Sequence, residues 1–111
     1  MTNQFPSTTN ITFFNAQTTD ATSEGFIFIF PNKAACIKFG GTFDGATVTF
    51  QTSVPWSTTD TVPIFNLSGT PLSFTSSGQF TLEHVVYGDK LFCTISGSAG
   101  STSLNVTAQV I

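Results

Sequence analysis

At 111 residues and a net charge of -3, the chain is sized for one domain that buries about two-thirds of its unfolded surface. Three lysines, no arginine and only 8% charged residues exclude the basic stripe and guanidinium forks that nucleic-acid recognition uses. Hydrophobic residues at 40% exclude compositional disorder, and the longest apolar run, residues 26–30, is too short to span a bilayer.

Side-chain choice sets the class. Twelve serines, twenty threonines and thirteen phenylalanines stand against five Lys plus Glu, the usual surface residues of helices. The chain reads as all-β with essentially no helix.

In chain order, residues 1–9 are polar apart from Phe5 and read as an extended N-terminal arm, with Phe5-Pro6 as an anchor or a frayed end. Residues 10–111 read as a single domain. A short strand is expected at residues 10–15, then a polar loop carrying Asp20 and Glu24. Residues 26–30 alternate Phe26, Phe28 and Phe30 with two isoleucines, so both faces are apolar and both need covering. The turn at residues 31–33 leads to a strand with Ile37 and Phe39 inward and Cys36 and Lys38 opposite.

Asp44-Gly45 then signals a turn ahead of the cleanest alternation in the chain, with Ala46, Val48 and Phe50 on one face and Thr47, Thr49 and Gln51 on the other. Residues 54–60, including Trp56, are expected as a loop. A weaker strand follows at residues 61–67, and Pro63 makes it an edge candidate. Residues 72–75 form a short strand, and residues 79–87 alternate Phe80, Leu82, His84 and Val86 against Thr81, Glu83, Val85 and Tyr87. Gly88-Asp89 reads as a hairpin turn into residues 90–96. The last strand, residues 102–111, turns Leu104, Val106, Ala108 and Val110 inward.

About eight or nine short strands with turn signals every eight to twelve residues match a two-sheet antiparallel β-sandwich, immunoglobulin-like or jelly-roll. The N-terminus lacks a basic and an apolar region, so no signal peptide is expected and the chain is assigned to the cytosol on synthesis. There, Cys36 and Cys93 are expected to stay reduced and act as small hydrophobes.

Catalytic chemistry is sparse. His84 is the single histidine, and its strand neighbour Glu83 points to the opposite face, so Glu83 cannot orient it. Asp20, Glu24, Asp44, Asp60 and Asp89 all fall at turns, which suits Asp in its own right. No Asp-x-Asp-x-Asp calcium spacing and no His/Cys zinc set is present. No catalytic residue, cofactor or metal is expected. Trp56 and Tyr87 are candidates for stacking on a sugar ring, against the commoner use of aromatics in packing.

The run Gly41-Thr42-Phe43-Asp44-Gly45-Ala46-Thr47-Val48-Thr49-Phe50-Gln51-Thr52-Ser53, followed by Trp56 and Val62-Pro63, resembles small tailed-bacteriophage virion proteins. Phe74-Thr75-Ser76-Ser77-Gly78-Gln79-Phe80-Thr81-Leu82 resembles their next strand entry, and residues 91–106 resemble their closing hairpin. The chain departs from that pattern with Val54-Pro55 in place of an Asp-Gly-Gly turn and Phe92 where arginine is common. The resemblance covers residues 39–110. It implies a non-enzymatic virion protein, such as a capsid decoration (cement) protein, a head-fibre base or a tail or neck accessory. It further implies a homotrimer bound to the major capsid protein at subunit junctions. Phe5, Phe26, Phe28, Phe30 and Trp56 are the expected protein-interface residues. A carbohydrate-binding module using Trp56 and Tyr87 is the alternative.

Overall fold

Alternation with a period of two turns every second side chain of a strand toward one face, so the strands with the cleanest alternation decide where a core can lie. The computed structural model describes residues 10–27, 35–54, 57–65, 68–82 and 90–110. Among these residues there is no helix, and ten strand segments follow one another: β1 (Asn10–Gln17), β2 (Ala21–Thr22), β3 (Phe26–Ile27), β4 (Ala35–Thr42), β5 (Thr47–Val54), β6 (Ser57–Pro63), β7 (Ser73–Phe74), β8 (Gly78–Leu82), β9 (Lys90–Ser96) and β10 (Ser103–Val110).

All pairings are antiparallel and form two sheets. The first has the order β1-β10-β4-β8; the second has β2-β9-β5-β6, with β3 also on β9 and β7 also on β5. Since β2 and β3 share one neighbour, and β6 and β7 share another, the segments occupy eight positions in chain order. Those positions run 1-8-3-6 in one sheet and 2-7-4-5 in the other, which is the jelly roll. Of the two sandwiches compatible with the alternation, the immunoglobulin-like one is therefore excluded.

The topology corrects two hairpins. β8 pairs with β4 while β9 pairs with β5, so the two strands lie in different sheets; the expected Gly88-Asp89 turn lies outside the described residues. The step from β9 to β10, expected as a closing hairpin, likewise crosses between sheets. β5 and β6 follow one another in the chain and pair with each other, where the sequence predicts a loop over residues 54–60; Pro55 and Trp56 lie outside the described residues. Val54 pairs with Ser57 and Ser53 with Thr61, so the register slips between them and residues 58–60 have no partner on β5. Pro63 lies on the outermost strand of that sheet, in the edge position its missing N–H requires.

The core comes from the middle of both sheets. Ile37 and Phe39 on β4 and Leu104, Val106 and Ala108 on β10 face Val48 and Phe50 on β5 and Leu91, Cys93 and Ile95 on β9, and all ten are buried. Phe50 sits within ring-contact range of Phe13, Phe39, Phe74 and Phe80, the last at 5.1 Å in an edge-on arrangement. That geometry sets the positive ring edge of one against the negative face of the other.

β1 joins this core by breaking alternation. Its register on β10 slips between Thr12, opposite Thr107, and Phe14, opposite Val106, so Phe13 is an extra residue. The bulge turns both Phe13 and Phe14 inward, and both are buried. Between β4 and β5 the turn is tight: the Ala46 N–H donates to the Phe43 carbonyl at 2.9 Å, with φ of 47° at Asp44 and 86° at Gly45. Two successive left-handed residues are the signature of a type I′ turn, which favours Asp-Gly.

Candidate functional site

Phe5, Phe28, Phe30, Trp56, His84 and Tyr87 lie outside the described residues, as does the N-terminal arm. For Phe26 the backbone alone is described; it pairs with Leu91 on β9. The described surfaces are the two outer faces of the sandwich and one of its ends, and each is built by the strand register.

On the β1-β10-β4-β8 sheet, residues directly opposite each other share a face. One outward row runs Thr12, Thr107, Lys38, Gln79; the next runs Asn10, Gln109, Cys36, Thr81. This face consists of hydroxyls, amides and one half-buried thiol, and Lys38 is its single charge among the described residues. Cys36 thus faces out of one sheet and Cys93 into the core from the other, and both are free thiols.

At one end, three connections meet. The Asp20 carboxylate accepts the Ser98 N–H at 2.8 Å, and the Asp44 carboxylate accepts the Ser101 N–H at 2.9 Å. The Ser98 hydroxyl, then its N–H, holds Asp20 below the ordinary carboxylate value, because both bonds favour the charged form. Beneath them the buried Thr102 hydroxyl donates to the Phe43 carbonyl and accepts the Ala99 N–H, each at 2.9 Å. These acids act as clamps on backbone donors. Among the described residues, no three His, Cys, Asp or Glu side chains gather as a metal would require.

On the outer face of the second sheet, side chains are linked in a line. Gln51 Nε2 donates to Thr94 Oγ1 at 2.5 Å, and Thr94 Oγ1 is 3.0 Å from Thr22 Oγ1. Nearby, the Phe92 ring lies across Gly25, where a β-carbon would come within 2.5 Å of it. The phenylalanine that replaces the arginine usual in the resembling proteins is thus seated on the neighbouring backbone.

Beside the line lies a groove of about 390 Å³. Thr49, Gln51 and Thr94 line it from the sheet, Thr61 and Pro63 from β6, and Pro71 and Leu72 from the chain returning toward β7. That return is pinned: the Ile64 N–H donates to the Phe50 carbonyl at 3.0 Å, and the Leu72 N–H to the Ile64 carbonyl at 2.8 Å. Next to the groove Val62 and Phe65 are 45% and 54% exposed. None of these groove residues is marked as a ligand contact by the sequence, where Pro63 signals only an edge strand. Thr49 and Gln51 are legible as outward-facing, but the concavity depends on Ile64 bonding to Phe50 of β5 and on Pro71 and Leu72 pairing back onto Phe65 and Ile64.

The chain is a jelly-roll β-sandwich with two polar, weakly charged outer faces. No family model matches it, and no curated protein matches it. The fold has a counterpart in the crystal structure of the SPBc2 prophage-derived protein YomS, with a TM-score of 0.71 and 16% sequence identity, covering 97% of this chain and 96% of that one.

Proposed function

We propose that the chain is a non-enzymatic structural component of a tailed-phage virion, which decorates the capsid and cements it by bridging neighbouring major capsid subunits. The observation that carries this reading is the end-to-end likeness to a prophage-derived protein, in a chain whose residues 39–110 resemble virion proteins. The surface supports it: broad faces of threonine, asparagine and glutamine suit close contact with protein, because they give hydrogen bonds without the desolvation cost of charges. Bridging would add binding free energy to the assembled shell alone and so raise its stability. A homotrimer at subunit junctions follows from the same reading, with Phe5, Phe26, Phe28, Phe30 and Trp56 as its contacts.

The test compares capsids assembled with and without the chain, together with light scattering of the purified protein. A trimer, and capsids that release their genome at a higher temperature when decorated, are expected. A monomer whose presence leaves the capsid's heat resistance unchanged would overturn the proposal, and immunogold label on tails instead of heads would overturn its capsid location.

A further inference from the structure

We infer that the groove on the outer face of the second sheet is a binding site for a neutral saccharide. The lining chemistry narrows the ligand. Among the described residues its lining is threonine, glutamine, proline, leucine and Phe50, with no charged group to meet a phosphate, a carboxylate or an ammonium. A charged ligand would lose its hydration there without an opposite charge in return. A hydrocarbon would cover the Thr49 and Thr61 hydroxyls and the Gln51 side-chain carbonyl without pairing them, which offsets the gain from apolar contact. A sugar has both kinds of surface: hydroxyls for the threonines and amide, and a C–H face for Pro63, Pro71 and Leu72.

The polar groups are also held in place. Thr94 sits between Thr22 and the Gln51 amide, so the Gln51 side chain is oriented before any ligand arrives. A primary amide offers two N–H donors and a carbonyl with two lone pairs, and the bond to Thr94 uses one of these. On the other wall Pro71 pairs with Phe65 across an isolated bridge, and Leu72 is tied to Ile64, so neither flank has to order on binding. Fixed groups lower the entropic cost of association. The volume of about 390 Å³ falls at the small end of the roughly 300–1,000 Å³ of small-molecule sites, which suits a short oligosaccharide segment. The site is argued without Trp56 and Tyr87, which lie outside the described residues, and it does not depend on the virion role.

The experiment screens the full chain on an array of neutral oligosaccharides of glucose, galactose, mannose and N-acetylglucosamine, beside sialylated and phosphorylated counterparts, with titration calorimetry of the strongest binder. A neutral oligosaccharide is expected to bind. Gln51→Ala and Thr94→Val should each weaken it about tenfold, the equivalent of one well-made hydrogen bond or slightly more. Thr107→Val, on the outer face of the other sheet, should leave it unchanged. Thr61→Val, at an exposed edge position, supplies a variant that keeps its fold, checked by circular dichroism, and should also weaken binding. An array blank for neutral sugars, binding confined to the anionic counterparts, or wild-type affinity in both Gln51→Ala and Thr61→Val would overturn the inference.

Discussion

Cys93 shows how far a single residue's behaviour follows from its place in a strand. Its neighbours Leu91 and Ile95 share its face, and the alternation puts all three in the core. Burial pushes its thiol from an ordinary 9.0 up to about 12, because the thiolate would lose its hydration with nothing to replace it. The folded value lies above the unfolded one, so the native state holds the proton more tightly. The associated stability is whole below pH 9 and drains away as pH climbs toward 12, at up to about 1.4 kcal/mol per pH unit. Urea unfolding of wild type and Cys93→Ala should therefore show a stability difference that is flat below pH 9 and falls steadily above it. A difference that stays constant through pH 11 would contradict the burial argument.

Among elements, β4 and β10 leave no room for a side chain at Gly41, which pairs with Leu104. Gly41 has a φ of 123°, and a β-carbon there would overlap the Ser103 carbonyl oxygen, which is backbone and cannot swing aside. Gly41→Ala should cost about 1–3 kcal/mol in denaturant unfolding through strain and displacement of the ladder. Gly100, where an added methyl would meet nothing within 4 Å, is the control, and Gly100→Ala should change stability by less than about 0.5 kcal/mol. Equal effects would remove the steric account. The same elements show what can be read from sequence. The inward faces of β4, β5, β9 and β10 are legible, because alternation is a local signal. The β1 bulge is not, since Phe13-Phe14 breaks the alternation and the reason lies in the slipped register on β10. The two misplaced hairpins have a related cause: Gly-Asp and Gly-Ser turns specify that the chain reverses, not which sheet the next strand joins. That choice depends on distant pairings such as Asn10 with Gln109. The groove is illegible for the same reason, being made where β6, Pro71 and Leu72 meet one edge of β5.

For the whole molecule, the scarcity of charge makes a prediction about how it meets a partner. One outer face carries Lys38 as its single charge among the described residues; the other carries Lys90 on the outward side of β9, and its groove lining carries no charge among the described residues. At the sandwich end, Asp20 and Asp44 are already committed to the backbone of the last inter-sheet connection. An interface assembled from such faces gains by covering apolar surface and forming hydrogen bonds between neutral groups, and neither is screened by salt. Raising ionic strength from about 0.1 M to about 1 M shortens the screening length from about 10 Å to about 3 Å, which weakens surface ion pairs and leaves apolar contacts intact. Under the capsid reading, occupancy on purified shells should stay within about twofold across that range. The binding enthalpy should also fall with temperature, since burying apolar surface gives a negative heat-capacity change. Occupancy that drops tenfold or more in high salt would mean that charged groups outside the described residues carry the attachment, and the neutral faces would then be solvent-facing surfaces of the bound protein.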